Sequence, residues 1–149
     1  MDRVAFSYKD TKGRLRQGKR GVIPDGFLCV IDQKRQSKGL PAKANFLLEV
    51  DLATHSNPNF SMEKAAAGAA YVQGEEFKTR FGSNSGRWLI ITTSEVRMRH
   101  LMKHTHERIG AKSSLFLFTT LSEFFSKNGF TEAIWSVCGE NRKQKLLTE

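Results

Sequence analysis

The sequence predicts a mixed α/β domain, with one central sheet of parallel and antiparallel strands and helices flanking it. Three observations carry this reading. The first half offers strand segments in pairs, which implies an antiparallel meander. The second half alternates helical stretches with strands, which implies parallel strands joined by right-handed crossovers. Two of those strands, "WLIITT" and "SLFLFT", are unbroken apolar runs of the kind buried on both faces.

Each element follows in order. "VAFSY", "DTKG" and "RLRQ" form a hairpin with Gly13 in its turn. "GVIPDGFLCVI" places a strand from about Val22 to Ile31, with Pro24 and Asp25 near its start. "DQKRQSKGLPAK" is a long charged connection, and "NFLLEVD" returns as an antiparallel strand. "HSNPNFS" is a turn-rich loop. "MEKAAAGAAYVQGEEF" is a helix, with Ser61 as N-cap and alanines favouring the helical state. After the loop "FGSNSGR" comes "WLIITT", then a helix capped by Ser94 and running to about Arg108. "SLFLFT" follows, and Thr120 with Glu123 matches a capping box for a short helix ending at Asn128-Gly129. "AIWSV" is the last strand, and the charged tail "GENRKQKLLTE" is expected to fray.

At 149 residues the chain forms one domain, with residues 1–20 as a basic hairpin and 139–149 as a charged tail. Hydrophobic residues make up 39%, including 11 Phe, which excludes a disordered chain. No apolar run reaches the length of a membrane span, and the polar N-terminus has no signal-peptide core, so no membrane association and a cytoplasmic location are expected. Cys29 and Cys138 lie outside any CxxC and are expected to be reduced and structural.

The net charge of +9 is unevenly distributed. Residues 1–20 carry seven Lys/Arg against two Asp, and residues 78–112 carry eight against two Glu. Between them, residues 44–77 carry five acids and one lysine. Basic stretches attract polyanions, chiefly through phosphate neutralisation. An acidic island inside a polyanion binder repels the ligand unless a divalent metal sits there and reverses the local charge.

The island has its own pattern. Leu47, Glu49 and Asp51 alternate onto one face of their strand, opposite Phe46, Leu48 and Val50. Glu49, flanked by apolar neighbours, is expected to be buried, whereas Asp51 alone is equally natural at an emerging strand end. A buried carboxylate must be paired, protonated or metal-bound. Asp25 in "PDGF" meets Glu49 if the two strands pair. A cation is available in Lys64, in the first turn of the alanine-rich helix, where the helix dipole disfavours positive charge unless an anion lies close. Gly68 and Tyr71 share its helix face, with Tyr71 most simply a core aromatic.

Pro24-Asp25, then Glu49-Val50-Asp51, then Lys64 with Tyr71, resembles the plasmid replication-relaxation family, itself similar to the PD-(D/E)xK nucleases. The resemblance spans roughly Val22 to Val137. It implies a restriction-endonuclease-like fold and a Mg²⁺- (or Mn²⁺-) dependent DNA endonuclease associated with plasmid or mobile-element replication and mobilisation. By this resemblance Asp25, Glu49 and Lys64 are catalytic and Asp25 and Glu49 hold the metal; Asp51 is expected at the edge of the cluster, as an additional ligand or a hydrogen-bond partner to Lys64. The pattern departs at Asp51, where the motif expects Lys, and Lys64 is the natural replacement. No winged-helix domain of the kind the family often carries is read in these 149 residues, as expected of an excised domain or a short stand-alone member.

Phosphodiester hydrolysis needs these residue types: carboxylates for the metal, and an ammonium for charge developing on phosphorus. Lys12, Arg14, Arg16, Lys19 and Arg20, with Arg97, Arg99 and Lys103, are the residues expected to grip flanking DNA phosphates. Replication or mobilisation proteins are further expected partners. The alternative is a catalytically silent nuclease-like module that binds DNA or protein, and Asp51 is the residue that favours it. His100 and His104 share a helix face at zinc-compatible spacing, but no third ligand accompanies them.

Overall fold

The computed structural model describes residues 2–53, 64–83 and 85–147. Its elements are β1 (Asp2–Lys9), β2 (Leu15–Val22), β3 (Gly26–Ile31), α1 (Gln33–Ser37), β4 (Lys43–Asp51), α2 (Ala66–Val72) and α3 (Glu75–Phe81). These are followed by β5 (Arg87–Thr92), α4 (Glu95–Ile109), a 3-10 turn (Gly110–Leu115), β6 (Phe116–Thr120), α5 (Leu121–Ser126), β7 (Trp135–Val137) and β8 (Lys143–Gln144). The Ser61 cap and the whole 55–61 loop lie outside the described residues.

The described strands form a six-stranded mixed sheet in the order β3-β4-β5-β6-β7-β8, with β1 and β2 as a separate hairpin. β3 and β4 are antiparallel neighbours, with Gly26 opposite Leu48 and Ile31 opposite Lys43. β4, β5 and β6 run parallel, as alternation with helices requires. The fold class is therefore α/β, with a mixed sheet and flanking helices.

Four details differ from the sequence reading. The strand expected over 22–31 divides, because Val22 belongs to the hairpin and Ile23–Asp25 form the link to β3. The helix expected through Phe77 breaks at Gln73 and Gly74, where Gly74 turns extended (ψ 167°) and starts α3. β7 runs antiparallel to β6 rather than continuing the parallel set, because α5 is short and the chain returns through the 127–134 loop. The tail does not fray through residue 147. β8 pairs with β7, Leu146 and Leu147 donate backbone hydrogen bonds to the Phe130 carbonyl (3.2 and 2.9 Å), and both side chains pack on the core.

Each sheet face has its own apolar layer. One face is covered by α2, α3, α4 and the inner side of the hairpin, around Leu47, Trp88, Ile90, Phe116 and Phe118. The other is covered by α5 and the C-terminal segment, around Phe46, Leu89, Ile91, Leu117 and Trp135. The capping signals act as expected: Ser94 accepts from the Arg97 N–H (3.1 Å), and Thr120 from the Glu123 N–H (3.2 Å).

The small residues of α2 set its distance from the sheet. Ala65, Ala66, Ala67 and Ala69 are buried, and the Trp88 indole N–H donates to the Gly68 carbonyl at 3.1 Å. A Cβ at Gly68 would lie 2.9 Å from Trp88 Nε1, and the indole is backed by Phe116, stacked at 6.3 Å. Gly68→Ala should therefore destabilise the fold by about 1–3 kcal/mol through overpacking, despite alanine's better helix propensity. A denaturant melt that shows equal or higher stability would contradict this packing.

Candidate active site

The alternation of β4 places Leu47, Glu49 and Asp51 against the helices, and all three are buried. Two carboxylates thus enter an apolar layer, and each is met by a cation from a different helical element. Lys64 and Ala65 form a wide turn leading into α2, and the Lys64 ammonium donates to Glu49 Oε1 at 2.5 Å. Arg97, in the first turn of α4, clamps Asp51 with two hydrogen bonds, Nε to Oδ2 (3.0 Å) and Nη2 to Oδ1 (3.1 Å). The Thr92 hydroxyl donates to the same Asp51 Oδ2 at 2.7 Å. The Ala53 N–H also points at Asp51, which holds Ala53 in a left-handed conformation (φ 62°) unusual for a residue with a Cβ.

Asp25 arrives from the link before β3. Its N–H donates to the Leu48 carbonyl (2.8 Å), and its Oδ2 accepts from the Val50 N–H (2.8 Å). This double clasp brings Asp25 close enough to bear on Glu49 electrostatically. Asp25, Glu49 and Lys64 are thus brought together, with Asp51 two residues further along the strand.

The two buried acids respond in opposite directions. Burial pushes the Glu49 carboxyl up, the Lys64 ammonium pulls it down, and the charges of Asp25 and Asp51 push it up again, leaving it above the ordinary glutamate range. Burial also pushes Asp51 up, but Arg97 and Thr92 outweigh it and leave Asp51 below the ordinary aspartate range. Asp51 is a satisfied anion, and Glu49 is an anion held against its preference.

Glu49 and Lys64 line a pocket of about 70 Å³, whose floor is Ala67, Trp88, Ile90 and Phe116 and whose outer wall is Arg20 to Ile23 of the hairpin. The hairpin is fastened beside this wall through Asp2. Asp2 accepts from the Tyr71 hydroxyl (2.7 Å) and from two Arg80 nitrogens (2.9 and 2.8 Å). Burial and the Asp2 carboxylate together push the Tyr71 phenol up to about 12, so it stays a hydrogen-bond donor. Tyr71 thus ties the hairpin to α2 from within the core.

The cations expected to grip DNA are placed unequally. Arg14 and Arg16 both hold Asp10 in the hairpin turn (3.1 and 3.0 Å), and the Lys12 backbone N–H donates to the same carboxylate (2.9 Å). Arg99 pairs with Glu95 (2.9 Å), and Lys103 lies 4.0 Å from Glu107. Lys19 is exposed, and Arg20 lines the pocket. His104 lies 3.6 Å from Glu107. Cys29 is exposed and Cys138 buried, both as free thiols, and burial pushes Cys138 up to about 12.

Sequence reasoning did not identify Arg97 as the partner of Asp51. The signal was present: a cation in the first turn of a capped helix, the feature that singled out Lys64. Among the described residues, no group of three or more His, Cys, Asp or Glu side chains is arranged to hold a metal ion. Two hard oxygen donors still suit Mg²⁺, which binds through one or two carboxylates and keeps its waters. Asp25 and Glu49 are the two carboxylates that bear on each other here, with one oxygen of Glu49 taken by Lys64 and one of Asp25 by the Val50 N–H. Asp51 joins them only by releasing Arg97 or Thr92. No family model, curated protein or solved structure matches the chain.

The opposite shifts give opposite mutant effects. Asp51→Asn leaves the half-buried Arg97 guanidinium without this counter-charge and should cost about 1–3 kcal/mol at neutral pH. Because the folded Asp51 titrates below its unfolded value, this cost is present above that value and is lost as pH falls through the folded one. Glu49 titrates above its unfolded value of 4.5, so its ionisation weakens the fold as pH rises beyond that point. Glu49→Gln should therefore match or exceed the wild type at pH 7, with the advantage shrinking towards pH 4. Thermal melts across pH 4–8 check both; a Glu49→Gln protein less stable than wild type at pH 7 would contradict the reading.

Proposed function

We propose that the chain is a DNA-binding, nuclease-like domain that hydrolyses phosphodiesters with Mg²⁺ or Mn²⁺ held by Asp25 and Glu49, serving plasmid or mobile-element replication or mobilisation. The observation that carries the reading is Lys64 docked on a buried Glu49 whose carboxyl is raised by burial and by its acidic neighbours. Perturbed groups of this kind, lining a pocket, suit chemistry better than a purely structural role. The restriction-endonuclease-like assignment rests on the same residues: two acids on adjacent chain segments and a lysine from the neighbouring helix.

When bound, the divalent ion supplies charge neutralisation for the scissile phosphate and lowers the pKa of a coordinated water. The chain's own groups do the rest. Lys64 holds an ammonium against the site, where it offsets negative charge developing on the phosphate oxygens. Arg20, on the wall of the same pocket, adds positive charge that favours a phosphate ligand. Trp88, Ile90 and Phe116 keep the floor apolar, which strengthens every charge interaction above it.

A second reading, a silent nuclease-like module, is favoured by Asp51. Where the nuclease motif expects lysine, this chain has an acid locked to Arg97 and Thr92.

Calorimetric titration with Mn²⁺ should give binding heat for the wild type and none for Glu49→Gln, and Mn²⁺ should raise the melting temperature of the wild type alone. Supercoiled plasmid should be nicked in Mg²⁺ by the wild type and at least about 100-fold more slowly by Lys64→Ala. Metal binding without cleavage of duplex, branched or single-stranded DNA would select the silent reading. No metal heat in either protein would remove the catalytic one.

A further inference from the structure

We infer that the groove between the tip of the β1–β2 hairpin and the end of α4 is a phosphate-backbone track for duplex DNA, remote from the Glu49 pocket. The inference rests on the DNA-binding reading above and relocates where the grip is made.

Four of the arginines that the sequence nominates for DNA are already engaged by acids of the chain itself: Arg14 and Arg16 by Asp10, Arg97 by Asp51, and Arg99 by Glu95. Arg97 and Arg99 each have an acid of their own, whereas Arg14 and Arg16 share one carboxylate and keep one net positive charge between them. The groove has a different balance. It offers about 330 Å³ of open space lined by Ser7, Lys9 and Leu15 of the hairpin and by Arg108 and Lys112 at the end of α4. Its acid is Glu107, which already faces Lys103 (4.0 Å) and His104 (3.6 Å). Lys9 and Lys112 are exposed and make no salt bridge among the described residues.

Arg108 adds an independent observation. It is only 9% exposed, its Nη1 donates to the Asp10 carbonyl at 3.3 Å, and its buried Nε has no hydrogen-bond partner among the described residues. A buried guanidinium facing no carboxylate is costly unless an anion completes it. Its position at the C-terminal turn of α4 offsets part of that cost through the helix dipole, and among the described residues Arg108 makes no salt bridge. Two exposed ammonium groups beside a buried guanidinium offer three positive charges to the phosphates of a nucleic-acid strand.

The hairpin connects this groove to the pocket. β1 and β2 pair without interruption from Asp2–Val22, at the pocket wall, to Lys9–Leu15, at the groove. Seven residue steps span about 23 Å. At 3.4 Å per step along a DNA strand, that separation is about seven nucleotides. On the outward face between the two ends stand Arg3, Ala5 and Ser7 of β1 opposite Gly21, Lys19 and Gln17 of β2, with no acid among them. Glu75 and Glu76 lie beside Arg3 at the pocket end, and Glu107 lies at the groove.

The test is duplex-DNA affinity by fluorescence anisotropy, using a 24-base-pair probe over a range of salt, with the full chain. Three proteins are compared: the wild type, Lys9→Ala/Lys112→Ala, and Arg14→Ala/Arg16→Ala. Both lysines are exposed, so circular dichroism and the melt should stay unchanged in that variant. The lysine pair should weaken binding at least about 10-fold at low salt and reduce the salt slope by about 2, at roughly 0.9 per lost phosphate contact. The arginine pair, two cations that share one acid, should reduce the slope by no more than about 1. A wild type that binds while the lysine pair leaves slope and affinity unchanged overturns the groove and spares the DNA-binding reading. A wild type that binds no duplex at low salt removes both.

Discussion

Two carboxylates on the buried face of one strand constrain much of this structure. β4 must place Leu47 in the core, and strand alternation then sends Glu49 and Asp51 to the same side. Neither acid can stay there unsatisfied. Lys64 and Arg97 answer from the first turns of two different helical segments, so the charge pairs also fix how α2 and α4 sit on the sheet. A cation at the positive end of a helix is locally unfavourable. Here each such cation is stabilised by the strand beneath it.

The two pairs are not equivalent, and the difference separates architecture from chemistry. Asp51 accepts from Arg97 and Thr92 and is stabilised as an anion. Glu49 has one ammonium partner against burial and two neighbouring negative charges, and it remains destabilised as an anion. Satisfied buried pairs hold folds together, whereas frustrated ones are where added cations have most effect. This is why the proposed chemistry belongs to Glu49, Lys64 and Asp25.

Much of this was legible in the sequence. The alternation in "NFLLEVD" fixed the face of Glu49, and the antiparallel pairing of β3 with β4 followed from segment order. Lys64 was nominated by its place in a helix first turn, and the caps at Ser94 and Thr120 by their residue types. Arg97 was misplaced, because an arginine on a basic helix reads as a surface charge until the opposing strand end is known. The engagement of Arg14 and Arg16 by Asp10 was likewise invisible, since it depends on the hairpin turn bringing residues 10, 14 and 16 to one point. The antiparallel β7 and the docked tail depend on long-range packing around Trp135, where local propensity carries no information.

The central claim is that Glu49 is an anion held against its preference until a divalent cation arrives. The most direct measurement is a ¹³C NMR titration of the Glu49 side-chain carboxyl, without and with saturating Mg²⁺. The account predicts a midpoint above the ordinary 4.5 in the absence of metal, moving below it when Mg²⁺ is added. A midpoint at or below 4.5 that Mg²⁺ does not move would contradict it, and would leave Glu49 as an ordinary partner of Lys64.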